Sequence, residues 1–510
     1  MPGRTHDRHA GAPTIESDAV PSLTQAQTNA VAAMLRVTPV VDDLARRFHA
    51  AGHELYLVGG SVRDALLDEL GDDLDFTTDA RPDAIEKLLR GFTHSVWTIG
   101  KEYGTIGASH HAGGQDWLIE VTTFRDDTYR VDSRKPEVRF GDTIEGDLQR
   151  RDFTVNAMAI RLSDKAFIDP FGGLADLASG QLRTPSTAER SFSDDPLRMM
   201  RAARFASRLG FDLADDVREA MRDMAGRIEI ISSERVRDEL TKLLLSDTPR
   251  TGLDLLVGSG IADHVLPELP ALRLERDEHH RHKDVYQHSL TVLDQAIALE
   301  KARGHAPDIV TRLAALLHDI GKPATRKFEA EGVVSFHHHD VVGAKLVRKR
   351  LKALTFPTAV IDSVAALTTL HLRFHGYGDG MWTDSAVRRY VRDAGDELER
   401  LHILTRSDCT TRNRGKAARL RAAYDQLEAR IAVLAEQEEL DAIRPDLDGT
   451  QIMALLEIPP GRDVGAAYAY LLERRLDEGP LGAEGAASAL LEWWAGRQAG
   501  AAPTTPTMDA

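Results

Sequence analysis

The hydrophobic pattern changes period once along the chain. From about residue 39 to 186, short runs suited to strands (ELYLVGG, LDFTT, WLIEVTTF, FTVNAMAIRL, AFIDPF) alternate with helical stretches. From about residue 188 onward, apolar residues recur every three or four positions, as in DPLRMMRAARFASRLGF and ERVRDELTKLLL. A period of two lines one face of a strand, and a period near 3.6 makes one apolar stripe on a helix. The expected fold class is therefore α+β: a mixed sheet with helices, followed by all-α domains. At 510 residues the chain is long for a single core. The helical part is interrupted by loop residues around Pro267 and Pro270 and again near Ala432. The ends, 1–38 and 498–510, are rich in small and polar residues without periodicity and are expected to be disordered.

Composition excludes some classes. No apolar run is long enough to span a bilayer, and the N-terminus has no secretory pattern. The single cysteine, Cys409, permits no internal disulfide, so a reducing cytoplasm is the expected location. A net charge of −16 argues against a nucleic-acid partner, but net charge conceals patches. Arg412, Arg414, Lys416, Arg419 and Arg421 occur without an intervening acid, and residues 345–352 carry a second basic run. Each is either a solvated helix face or a phosphate-binding surface.

The run LYLVGGSVRDALLDELGDDLDFTTDA places Gly59 and Gly60 between a strand and a helix, with Arg63 in the first helical turn. Residues without side chains let backbone N–H groups approach a phosphate, and the helix N-terminus favours its charge. Asp73 and Asp75 follow on a strand. Two residues apart, they share a face and can bind one hard cation through oxygen, while Leu74 and Phe76 face the core. That arrangement suits two-metal phosphoryl transfer. Taken alone, the same residues also fit an exposed acidic turn beside Asp72 and Asp79.

Five motifs in order, GGSVRD, DLD, RRDFTVNAMA (150–159), DPFGGLADL (169–177) and DDPLRMMRAARF (194–205), resemble the class II tRNA nucleotidyltransferase and bacterial poly(A) polymerase family of the polymerase β superfamily. The resemblance implies a nucleotidyltransferase head at 39–186 and a helical neck at 187–270 that selects nucleotides and binds RNA. It also implies tRNA, CTP and ATP as partners. Gly60 and Arg63 would contact the triphosphate, Asp73 and Asp75 would hold Mg2+, and Arg151 would contact nucleotide. Glu120, in LIEVTTFR, is either a third catalytic carboxylate or a buried partner for an arginine. In the family, the positions of Asp195 and Arg198 choose the base. A carboxylate accepts from the exocyclic amine of cytosine or adenine while an arginine donates to the ring nitrogen, and uracil and guanine present the opposite polarity. This chain has Asp194 where the family usually has Glu, a shorter supporting residue. Arg201 and Arg204 follow Arg198 on one helical arc and are expected to contact triphosphate and primer. The polar segment between Phe124 and Arg150 resembles the family's flexible loop.

A second constellation lies in the helical half: His288, the adjacent His318 and Asp319, His339, His371 and Asp408. Only family resemblance, through the following Gly343 and Ala344, selects His339 over the neighbouring His337 and His338. Imidazole with carboxylate suits Mn, Fe, Ni or Zn. Set and order resemble the HD phosphohydrolase superfamily, which implies an HD domain at 271–431 with a possible second, hydrolytic activity. The segment 432–497 resembles the helical tail of related enzymes, a surface for tRNA, to which Arg412, Arg414, Lys416 and Arg419 would add contacts. Nothing in the sequence calls for an obligate protein partner. The expected activity is template-independent addition of C and A to the 3′ end of tRNA with release of pyrophosphate. Its competitors are a poly(A) or A-only polymerase and, from another class, an HD phosphohydrolase with an RNA-binding head.

Overall fold

A computed structural model describes residues 23–125, 139–273, 284–329, 334–374, 383–411, 413–438 and 444–500. The chain divides into two compact units, Met1–Val265 and Leu266–Ala510.

The first unit is built on a seven-stranded sheet of β1 (Leu55–Val58), β2 (Asp73–Thr78), β3 (Ser95–Trp97), β4 (Thr105–Ala112), β5 (Gln115–Thr123), β6 (Ala159–Arg161) and β7 (Phe167–Ile168), in the order β3-β4-β5-β2-β1-β6-β7. Only β2 and β5 run parallel, and the other neighbours are antiparallel. Gly113 and Gly114, both with positive φ, close the β4–β5 hairpin in the two-residue turn that such backbone angles require. Alternation divides the sheet faces: Leu74, Phe76, Ile119 and Val121 are buried on one, and Asp73, Asp75 and Glu120 lie on the other.

Two helices enter early, α1 (Leu23–Ala50) and α2 (Gly60–Leu66), and they pack on each other. The first corrects the expectation for residues 1–38: residues 23–38 are helical. Ala26, Ala33, Val37, Val40, Val41, Leu44 and Phe48 are all buried at three- and four-residue spacings, so a real apolar stripe exists. It begins with alanines, which carry little hydrophobic signal, and this conceals the period. At the other end the helix Gly482–Gly500 extends into the segment expected to be disordered. Residues 1–22 and 501–510, Arg412 and 126–138 of the expected loop lie outside the described residues.

Beyond the sheet the first unit is helical. Leu197–Leu209 packs against Ser233–Leu244 and Pro249–Gly258. It is buried nearly all round, with Met199, Ala202, Ala203, Phe205 and Ala206 at 3% exposure or less. The second unit is helical apart from one pair of two-residue strands among its described residues. Val285–Ala302, Ile309–Leu317 and Leu398–Ser407 pack together, and His339–Ala353 pairs with Thr358–Leu370. Asp284 and Asp308 cap the first two of these helices by accepting from backbone N–H groups of the first turn. The last three helices form a small separate core around Ile452, Leu471 and Leu490. No helix among the described residues is long and apolar enough to cross a membrane.

Candidate active site and metal centre

β1 ends at Gly59, whose φ of 68° is costly for any residue with a Cβ. A Cβ there would also stand 2.6 Å from Nη1 of Arg151. The Gly-Gly pair thus serves the close approach of the Arg151 guanidinium, which ion-pairs with the fully buried Asp147 at 3.2 Å and whose Nε is buried without a partner. Arg63 is 3% exposed, paired with Asp64 at 2.7 Å, hydrogen-bonded to Asn156 and packed over the Phe205 ring.

Asp73 and Asp75 project from β2, and Glu120 on β5 stands opposite Asp75 in register. Ser61 of α2 ties this strand down, its Oγ accepting from the Asp75 N–H at 2.9 Å and donating to the Asp73 carbonyl. Burial, then the neighbouring Asp73 and in lesser degree Glu120, push the Asp75 carboxyl up to about 6 against the pull of Arg151 and Arg63. Burial raises Asp73 and Glu120 as well. No arginine pairs with Glu120 among the described residues, so the alternative of a buried ion pair finds no partner there. Three oxygen donors whose ionised forms are disfavoured by burial and by one another fit a hard divalent cation, which would relieve that repulsion.

Beside these groups is a cleft of about 430 Å3 lined by Arg150, Arg151, Asp152, Asp195, Arg198, Arg201, Arg235 and Glu239 among others. Arg198 donates to Ser191 Oγ at 2.8 Å and to the Arg150 carbonyl. Asp195 receives Arg235 at 2.7 Å. Burial raises the Asp152 carboxyl, but Arg201 at 2.6 Å and the Asn156 amide outweigh it and hold it well below the usual carboxylate range. Arg204 departs from expectation: it does not line the cleft. Its Nε donates to Glu239 at 2.6 Å and its guanidinium packs on Phe205. Asp147, Asp152, Arg235 and Glu239 were not singled out from the sequence. Asp152 stood inside a quoted motif, whereas Arg235 showed only as part of a helical period.

In the second unit the six expected ligands converge as two triplets, His288, His318 and Asp408, and Asp319, His339 and His371, each with donor atoms within 4.8 Å of one another. Asp319 joins them. Its Oδ2 lies 3.2 Å from Nε2 of His318 and 3.5 Å from that of His288, and its Oδ1 lies 3.3 Å from Nε2 of His339. His318, His339 and His371 each donate from Nδ1 to a backbone carbonyl (Ala315, Phe336 and Thr368), which leaves the Nε2 lone pairs facing inward. Burial and the adjacent His318 push the His371 imidazole down to about 4, so it is a neutral donor near pH 7. Burial raises Asp319, but His318, His339 and Lys322 hold it well below the usual range. Mixed imidazole and carboxylate donors around two adjacent positions fit a pair of transition-metal ions. Among the described residues no such tight triplet occurs in the first unit.

Arg414, Lys416, Arg419 and Arg421 are exposed near the start of the helix Arg414–Glu438, and none pairs with an acid among the described residues. Cations there oppose the helix dipole.

The chain matches the Poly A polymerase head domain over residues 55–183, the "Probable RNA and SrmB- binding site of polymerase A" over 210–272 and the HD domain over 285–436. It is 34% identical over 452 residues to the A-adding tRNA nucleotidyltransferase of Deinococcus radiodurans, an alignment covering 86% of this chain and 95% of that one. The chain belongs to the tRNA nucleotidyltransferase and poly(A) polymerase family. As a member of that family it is a nucleotidyltransferase, and the nucleotidyltransferase and HD domain families use divalent cations. The CCA-adding enzyme of Leuconostoc mesenteroides is 39% identical over 226 residues, 44% of this chain and 53% of that one. The crystal structure of the Bacillus stearothermophilus CCA-adding enzyme in complex with CTP shares the fold, with a TM-score of 0.66 at 24% identity over 91% of this chain and 99% of that one.

Proposed function

We propose that the first unit adds C and A from CTP and ATP to the 3′ end of tRNA without a template. The observation that carries this reading is the cleft in which Asp195 and Arg198 stand beside Arg150, Arg151 and Arg201. There the carboxylate of Asp195 accepts from the exocyclic amine of the base and Arg198 donates to the ring nitrogen. Cytosine and adenine share that edge, and a wrong base leaves buried groups unpaired at about 1–3 kcal/mol each. Arg151, free at Nε, supplies charge to the triphosphate. Arg63 is held by Asn156 and Asp64 beside the glycine turn, and Arg204 ties the helix Leu197–Leu209 to Glu239. Asp73 and Asp75, with Glu120 flanking, would hold Mg2+. Bound there, the metal would lower the cost of ionising the 3′ hydroxyl and of releasing pyrophosphate. The four exposed cations at the start of the helix Arg414–Glu438 would meet tRNA phosphates. The two triplets of the second unit would hold Mn, Fe, Ni or Zn and hydrolyse phosphate esters.

Incubation with a tRNA ending at its discriminator base, separately with CTP and with ATP, tests this proposal. Incorporation of C from CTP alone is the expected result. Incorporation of A but never C would replace CCA addition by A-only addition, a reading that the Deinococcus relative supports through its coverage of nearly the whole chain.

A further inference from the structure

The strand order splits the head about β2. The glycine turn at Gly59 and Gly60, and Arg151, which is proposed to meet the triphosphate, lie on the side of β1 and β6, whereas β5, β4 and β3 lie on the other side. One register row crosses that second side: Asp75 on β2, Glu120 on β5, Gly107 on β4 and Trp97 on β3. Residues paired across strands share a face, so Trp97 belongs to the face of the metal-binding carboxylates. Gly107 leaves a gap in the row, and the Trp97 indole lies across it. A Cβ on Gly107 would stand 2.0 Å from Nε1 and 2.2 Å from Cε2 of that ring. The indole therefore reaches back from the outermost strand toward Glu120. Leu118 pairs with Asp73 on the same face and is 40% exposed. Ile99, two residues beyond Trp97, is 89% exposed. Leu118 and the half-buried Trp97 thus share the sheet face of the carboxylates.

Nucleotidyl transfer places the attacking and leaving oxygens in line on opposite sides of the transferred phosphorus, with the metal ions stabilising both. With the nucleotide on the β1 side, the acceptor hydroxyl enters from the β5 side. Neighbouring strands are about 4.8 Å apart, so Gly107 stands roughly 10 Å from Asp75, a distance one nucleoside spans. We propose that the Trp97 indole is the platform on which the terminal base of the tRNA acceptor stacks, holding its 3′ oxygen at Asp73 and Asp75. The inference rests on the nucleotidyl-transfer reading above. Stacking tolerates every base, which suits an acceptor whose last base changes as the end is extended.

The test measures steady-state kinetics of W97L and W97F with a tRNA ending at its discriminator base and whichever of CTP and ATP the wild type incorporates. W97L is expected to raise the KM for tRNA roughly tenfold or more, the effect of losing one base–aromatic stack, with the KM for nucleotide unchanged. W97F keeps a ring and should restore most of the loss. Gly107→Ala, whose Cβ takes the place of the indole, should behave as W97L does. A tRNA KM for W97L within about twofold of wild type, a parallel rise in the nucleotide KM, or no rescue by W97F overturns the proposal. A wild-type protein that extends no tRNA removes the nucleotidyl-transfer reading and the platform with it. A working wild type with an unaffected W97L removes the platform alone.

Discussion

Arg235 donates from Nη2 to Oδ2 of Asp195 at 2.7 Å, so the carboxylate proposed to read the base is already held by a second helix. Asp195 follows the helix Ala188–Asp194 in an extended conformation, and its other oxygen accepts from the Leu197 N–H. Both contacts fix the direction in which the carboxylate accepts. Arg235→Ala should leave the protein folded and blunt the choice of base. A charge-assisted hydrogen bond is worth about 1.5–3 kcal/mol. The ratio of kcat/KM for ATP over GTP is therefore expected to fall roughly tenfold or more. An unchanged ratio would show that Asp195 needs no such clamp.

Gly59→Ala forces a left-handed backbone on a residue with a Cβ, at a cost of about 1–2 kcal/mol. The new methyl also occupies the place of the Arg151 head group, which is flexible enough to swing away. The expected outcome is a modest fall in Tm with a much larger fall in kcat/KM, since the displaced arginine is the one proposed to face the triphosphate. A Tm loss with full activity would remove Arg151 from the site.

The raised Asp75 carboxyl gives the proposed metal site a pH dependence of definite sign. Its folded value of about 6 exceeds the ordinary carboxylate value of about 4. Ionisation is therefore disfavoured in the metal-free fold, whose stability falls as pH rises from about 4 to about 6 and is then level with respect to this group. A Mg2+ ion held there as proposed would bind the ionised form, so its stabilising effect should be present above pH 6 and fade below it. Thermal unfolding across pH 4.5–7.5, with and without Mg2+, measures this; the effect of the metal should vanish at all pH values in Asp75→Asn.

Asp319 faces both triplets of the second unit, one oxygen to each. Asp319→Ala should therefore abolish both metal equivalents, whereas His339→Ala should remove only one. Metal analysis after dialysis distinguishes the two, and extension of tRNA by the head should continue in either variant. Equal metal loss in the two variants would mean that Asp319 does not bridge.

What the sequence made legible follows from how local each signal is. Asp73 and Asp75 lie two apart on one strand, so their common face is written into the chain, and the adjacency of His318 and Asp319 marks a metal-type site in the same way. Arg235, Glu239 and Trp97 were illegible because their meaning depends on which helix or strand lies opposite, as with the gap at Gly107 that only the β3–β4–β5 register reveals. The early part of α1 escaped for a different reason: its first buried positions are alanines. Arg204 showed the limit of helical arcs, because an arc tells which residues share a face and not whether that face meets solvent, substrate or an acid.

That last distinction has an energetic test. Glu239 is 4% exposed and accepts from Arg204 at 2.6 Å and Arg201 at 3.3 Å. Arg201 keeps Asp152 if Glu239 is lost, but Arg204, 8% exposed, has no other acid within ion-pair distance among the described residues. Breaking a buried pair from one side costs about 3–5 kcal/mol, because a charge stays buried alone, while replacing both partners by apolar groups of similar volume is often neutral. Glu239→Ala should therefore destabilise the first unit by about 3–5 kcal/mol, and the Arg204→Met, Glu239→Leu double variant should recover most of that loss. Chemical denaturation of the three proteins measures it. If Arg204 instead serves the triphosphate, the double variant will be stable and inactive. Retained kcat/KM in that variant identifies Arg204 as a support for the helix Leu197–Leu209 alone.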